Sequence, residues 1–205
     1  MAAAVESAGF GAGYLGSEFD ALGVSFVDRS DRMDEALAAV EAAWMGESVM
    51  WMRDGFRVGG NPMLPRPHQR PRPAPWIGGN SRRAIRRAVD SADEWALFPI
   101  PAKLSGLTRT APFESAADLA LAIDYAWAHA EPVGRTAPLT VCLIPHGLPM
   151  DGRPVDGHRV VASIVELAAI GVDSASVAFR GESRCEQLAA TDRFGANVLA
   201  AVSGN

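Results

Sequence analysis

Short apolar runs that lack period-two alternation, each preceded or followed by a segment of helical periodicity, recur through the second half of the chain and restrict its fold more than any other feature. "EWALFPI" (94–100), "LTVCLI" (139–144) and "SASVAF" (174–179) are such runs. A strand with one face in water alternates apolar and polar side chains. A strand that is apolar throughout is buried on both faces, as parallel strands joined by helical crossovers are. The intervening segments are amphipathic. Ala84, Ile85, Ala88 and Val89 form one stripe, and a helix capped at Ser115 and running to about His129 carries Leu119, Ile123, Ala126 and Trp127. Another, from about Gly157 to Ile170, turns Val161, Ile164, Leu167 and Ala168 inward, and a last helix spans about Glu182 to Val202. Nearer the start, Ser30 or Asp31 caps a helix with Met33, Leu37, Val40 and Trp44 on one face, stopped by Gly46. The class is α/β, and the pattern suits a doubly wound sheet or a barrel.

Two stretches interrupt this rhythm. "SVMWMRDGFRV" (48–58) places Asp54-Gly55 between two short runs, a hairpin signal because glycine supplies the positive φ of a tight turn. Residues 61–75, "NPMLPRPHQRPRPAP", hold six prolines, which remove backbone donors and favour an extended surface connection.

Bulk properties bound the function. A chain of 205 residues suits one domain, and a net charge of −5 argues against nucleic acid as partner. No apolar run reaches the roughly 18 residues of a membrane span, and no secretory leader pattern opens the chain, so a cytoplasmic protein is expected. Cys142 and Cys185 lack metal-ligand or CxxC spacing, which predicts free thiols and no metal site.

Chemistry concentrates at two glycine-bearing strand ends. In "WIGGNS" (76–81) a strand stops at Gly78-Gly79 and a helix starts at Asn80 or Ser81, so unpaired amides and the positive helix end point at one spot. A phosphate fits there, with a hydroxyl from Ser81 and added potential from Arg82 or Arg83; the turn equally suits a plain N-cap. "GAGYLG" (11–16) has the glycine spacing of a dinucleotide loop, with "VSFVDR" as the next strand and Asp28 at its tip, but the strand that should precede it, "AAAVES", is poor in β-branched residues. His146, just beyond a strand, is a further candidate ligand contact. No nucleophile–base spacing is present, and no catalytic residue is assigned.

Taken together, "GFGAGYLGSEFDALGVSFVDRSDRMDEAL", "AAWMGE" and "PRPAPWIGGNSRRAIRRAVDSADEWALFP" resemble, in order and spacing, the luciferase-like flavin and deazaflavin oxidoreductases, a (β/α)8 barrel family. "KLSGLTRTAPFESAADL" and "VELAAIGVDSASVAF" are most similar to the branch that uses coenzyme F420. The resemblance implies a single, incomplete TIM-type barrel domain over 1–205, holding strands four to eight and lacking the N-terminal third. It places Gly11, Gly13 and Tyr14 beside the cofactor, with Gly78, Gly79, Asn80 and Ser81 at its phosphate. It implies an F420-dependent oxidoreductase moving a hydride between the deazaflavin and an organic substrate. FMN-dependent monooxygenation is the alternative, as is a non-catalytic half-barrel. Five strands leave two open edges, so a homo-oligomer or a partner chain completing the barrel is expected.

Overall fold

A computed structural model of the chain describes residues 7–53, 56–143, 157–177, 179 and 181–203. Its frame is a parallel five-stranded sheet. In chain order the elements are β1 (Ser7–Gly11), α1 (Gly16–Ala21), α2 (Arg29–Met45), β2 (Trp51–Arg53), β3 (Phe56–Val58), β4 (Ala74–Gly78), α3 (Arg82–Ser91) and β5 (Glu94–Leu97). Then come α4 (Ala102–Thr108), α5 (Ala116–Ala130), β6 (Thr140–Leu143), α6 (Gly157–Ala169), β7 (Ser174–Ala175), α7 (Arg184–Phe194) and, after a π-helical turn, α8 (Ala200–Ser203). The strand order is β1-β4-β5-β6-β7, with β1 and β7 at the edges. Gly11 lies opposite Gly78, Gly78 opposite Ala96, and Ala96 opposite Cys142, so these strand ends form one line.

Alternation along the strands separates two faces. Ile77, Trp95, Val141 and Leu143 point outward into a core with Met33 and Leu37 of α2, Ile85 and Val89 of α3, and Leu119 and Ile123 of α5. Trp95 and Ile77 are fully buried, each contributing about 2 kcal/mol from apolar burial. The other face carries Trp76, Gly78, Ala96 and Cys142, and Glu94 shares it by register. A smaller cluster of Val160, Phe194 and Val198 joins α6 to the C-terminal helices, with Phe179 and Phe194 edge to face at 5.3 Å.

Local chemistry sets the helix ends. Ser115 Oγ accepts from the Asp118 amide while Asp118 accepts from the Ser115 amide, a reciprocal cap at the expected residue. Gly46, at φ 74°, ends α2. That helix starts at Arg29, before the expected Ser30 or Asp31, and its N-cap, Asp28, makes no side-chain cap bond.

Several expectations are corrected. "VSFVDR" is no strand: residues 24–28 form the connection into α2, which Arg29 opens, and this removes the dinucleotide-fold reading because the strand needed at Asp28 is absent. The last strand is limited to Ser174–Ala175. β4 begins at Ala74, inside the proline-rich tract, since Pro75 still offers its carbonyl to the Asp93 amide at 3.0 Å. Trp127, expected inward, is 45% exposed; Ala122 and Ala130 are buried instead, because small residues let α5 lie close to α3. On α6 the buried residues are Val160, Ser163 and Leu167, with Val161 and Ile164 half-buried at its flank. β2 and β3 pair antiparallel with Arg53 opposite Phe56, flanking Asp54-Gly55, which lie outside the described residues, as does His146.

Candidate functional site

The C-terminal ends of all five parallel strands open into one cleft of about 640 Å³. Gly11, Gly13, Tyr14, Gly78, Gly79, Asn80 and Ser81, singled out from sequence, all line it. Residues from β1 and β4, more than sixty positions apart, meet because parallel pairing brings Gly11 beside Gly78. In α/β sheets this end collects the loops and the helix N-termini, and ligands bind there.

The β4–α3 turn has the most definite geometry. Gly79 sits at φ 132°, and a Cβ there would lie 2.9 Å from the Ala84 Cβ, so no other residue fits without movement. Its amide donates to Ala96 O at 3.2 Å, and its carbonyl accepts from Trp95 Nε1 at 2.9 Å. Ser81 is the N-cap of α3, its Oγ accepting from the Ala84 amide at 3.2 Å. The cap uses a lone pair and leaves the O–H free to donate. Among the described residues the amides of Arg82 and Arg83 bond no acceptor, the ordinary condition of a first helical turn. Cap and anion cradle are therefore compatible in the same residue.

Asn80 does something else. It is 3% exposed; its amide nitrogen donates to Phe98 O at 2.6 Å and Ala111 O at 3.0 Å, and its oxygen accepts from the Phe98 amide at 3.2 Å. The side chain thus ties the end of β4 to the segments after β5 and α4. Its side-chain donors go to the scaffold.

The arginines also depart from expectation. Arg83 is held by Asp31 and Asp34, and Arg82 lies over the Tyr125 ring at 5.2 Å, so neither lines the cleft. Arg87 does, one turn deeper, with a buried side chain paired to Asp34 and donating to Ser30 O at 3.0 Å. Burial would raise the Asp34 carboxyl, but the hydrogen bonds from Arg87 and Arg83 outweigh it and hold that carboxyl below its ordinary range.

The first loop supplies the opposite wall. Gly13, at φ 80°, would place a Cβ 2.7 Å from the Phe19 ring, whereas a Cβ on Gly11 would meet open space. Tyr14 is half exposed at the rim. Sequence reasoning missed Trp76, Phe98, Thr108, Arg29 and Arg109, which are also part of the lining. Period-two alternation with the buried Ile77 carried the signal for Trp76; the others come from loops and helix ends with no periodicity to read.

On the sheet's inner face, burial raises the Cys142 thiol, and burial likewise raises the Glu94 carboxyl. Glu94 Oε1 is buried without a hydrogen bond among the described residues. Cys142 and Cys185 are both free thiols, as expected. His129, at a helix end, pairs with Asp90 at 2.9 Å, a surface contact, and neither residue lines the cleft. The described residues contain no cluster suited to a metal and no helix long and apolar enough to cross a membrane.

Residues 7–127, more than half the chain, match the family model of the luciferase-like monooxygenases. No curated protein sequence matches. Among solved structures, the monooxygenase RslO1 from Streptomyces bottropensis superposes with a TM-score of 0.70 at 19% identity, over 95% of this chain and 68% of that one. The coenzyme F420 dependent tetrahydromethanopterin reductase from Methanopyrus kandleri gives 0.64 at 13%, over 95% and 73%. A riboflavin lyase, RcaE, solved with modified FMN and riboflavin, gives 0.59 at 16%, over 91% and 60%. These likenesses establish a shared fold: the five-stranded parallel sheet matches luciferase-like TIM-barrel structures over most of its length.

Proposed function

The chain belongs to the luciferase-like monooxygenase family, and from that premise we propose that it is an F420-dependent oxidoreductase transferring a hydride between the deazaflavin and an organic substrate. The supporting observation is the Gly79 cradle: a residue at positive φ that a Cβ would obstruct, beside two unbonded helix amides and the free Ser81 O–H. That donor set suits a phosphate and no metal.

Gly78, Gly79, Asn80 and Ser81 would form the phosphate turn, with the Asn80 side chain fixing its shape and the backbone amides and Ser81 hydroxyl facing the anion. Gly11, Gly13 and Tyr14 would border the rest of the cofactor. When bound, F420 supplies the hydride chemistry itself. This chain's residues would bind it, orient it and keep water from one side with the apolar surface of Trp76 and Phe98. No side chain in the cleft is assigned as acid or base.

Fluorescence titration with F420 and, separately, with FMN tests this reading. Saturable F420 binding in the micromolar range, lost in Gly79→Ala, is expected; silence up to roughly 100 µM overturns it. FMN binding instead would select a flavin monooxygenase, the second reading; RcaE, a riboflavin lyase of the same fold, was solved with modified FMN. A third component concerns assembly. Among the described residues β1 and β7 are the edges of the sheet, and we expect a second copy or a partner chain to cover them. Light scattering of the purified protein should then give a mass above one chain.

A further inference from the structure

Arg29 and Arg109 come from distant parts of the chain to the same rim of the cleft. Both guanidinium groups lie against one ring: Arg29 at 3.9 Å and Arg109 at 5.3 Å from the Phe26 centroid. Each stands where its residue type is unfavourable. Arg29 is the first residue of α2, at the positive end of a helix of 17 residues, where a cation is repelled. Arg109 has φ 46° and ψ 42°, left-handed backbone that non-glycine residues rarely adopt, in the place after α4 where glycine is usual.

Neighbouring acids do not compensate. Asp28 pairs with Arg32 at 3.3 Å and Asp31 with Arg83 at 2.6 Å, and among the described residues neither Arg29 nor Arg109 has a carboxylate within salt-bridge distance. Arg29 spends one N–H on Phe26 O at 3.0 Å. Burial first, and then the charge of Arg109, lower its hold on its proton. Two cations and a helix dipole of the same sign converge there, with neither guanidinium paired to a carboxylate among the described residues, at a cleft already able to hold an anion elsewhere.

We propose that Arg29 and Arg109 form a second anion-binding subsite of the cleft, for a carboxylate or phosphate group other than the one held at Gly79–Ser81. The inference rests on the cofactor reading above and refines it. FMN brings one phosphate, whereas F420 adds carboxylates beyond its phosphodiester. A substrate carboxylate is the other source of the same chemistry.

The test compares wild type with Arg29→Gln, Arg109→Gln and the double variant. Three probes are used: F420, its ribityl-deazaflavin core lacking the phosphodiester and carboxylates, and glutarate as a small dicarboxylate. If the cofactor supplies the anion, each variant weakens F420 binding about tenfold and flattens its salt dependence, with binding of the ribityl core unchanged. If the substrate supplies it, F420 binding holds and glutarate no longer raises the melting temperature of the F420-loaded variants. Arg109→Gly controls for folding, since it relieves the left-handed backbone: its melting temperature should match or exceed wild type while anion binding falls.

Unchanged F420 affinity, salt slope and glutarate response in the double variant would overturn the subsite and leave the cofactor reading intact. A melting temperature lowered in Arg109→Gly with binding intact would also overturn it, showing that the guanidinium serves only to pack on Phe26. If wild type binds neither cofactor, the cofactor reading fails instead. The subsite is then decided by whether glutarate and inorganic phosphate stabilise wild type but not the double variant.

Discussion

Asn80 and Phe98 are bonded in both directions, the Asn80 amide donating to the Phe98 carbonyl at 2.6 Å and its oxygen taking the Phe98 amide at 3.2 Å. The turn after β4 is thereby locked to the strand end beside it, and a third bond, to Ala111 O, brings in the loop after α4. Asn80→Ala leaves three backbone groups of Phe98 and Ala111 without their side-chain partner, and a loss of about 2 kcal/mol is expected in urea unfolding. Asn80→Asp restores one bond but sets a buried carboxylate against two carbonyl oxygens. Its folded-state pKa is then raised, so its stability should recover as pH falls through that value, when the protonated acid donates to Phe98 O.

Gly78 and Gly79 separate binding from folding. Gly79→Ala meets both a positive φ and the Ala84 Cβ at 2.9 Å, so stability should fall by about 2 kcal/mol and cofactor affinity with it. A Cβ on Gly78 would stand 3.5 Å from Phe10 O, ordinary contact, on the side opposite the buried Ile77. Gly78→Ala should therefore melt within about 1 kcal/mol of wild type yet weaken F420 binding, because its methyl group enters the cleft. Paired melting curves and fluorescence titrations check both variants.

Ser81 carries two functions that one substitution can divide. Aspartate caps a helix as well as serine and favours its positive end, so Ser81→Asp should keep or raise stability. Its charge would face an incoming phosphate, and F420 affinity should drop at least tenfold. Ser81→Ala loses the cap, about 1 kcal/mol, together with the hydroxyl donor. Equal F420 affinity in wild type and Ser81→Asp would show that no anion sits at this turn.

How far the sequence revealed this arrangement depends on whether a residue obeys a period. The α3 stripe of Ala84, Ile85, Ala88 and Val89 is wholly buried as periodicity requires, and Gly13 and Gly79 mark the turns after two strands because positive φ and close approach constrain them. Asn80 was placed in the turn correctly, but its bonds run to Phe98 and Ala111, tertiary partners that local spacing does not encode. The same applies to Arg87, polar on a helix yet buried because Asp34 lies across from it. Trp127 failed for the opposite reason: it fits the apolar stripe of α5, but contact with α3 selects the smaller Ala122 and Ala130.

Glu94 lies on the inner face of the sheet, 8% exposed, with one carboxylate oxygen lacking a partner among the described residues. Burial raises its pKa above the ordinary 4.5; a hydrogen bond with Cys142 works against this, and the charge of Asp173 adds to it. The folded chain therefore holds this proton more tightly than the unfolded chain. Stability from this group is complete below the unfolded value and is lost as pH rises through the folded one. Glu94→Gln keeps the shape and removes the charge, so it should be more stable than wild type at pH 7 to 8, with the difference vanishing below about pH 4.5. Thermal unfolding across that range decides: a constant offset between the two proteins would mean that the carboxyl is solvated and not strained by burial.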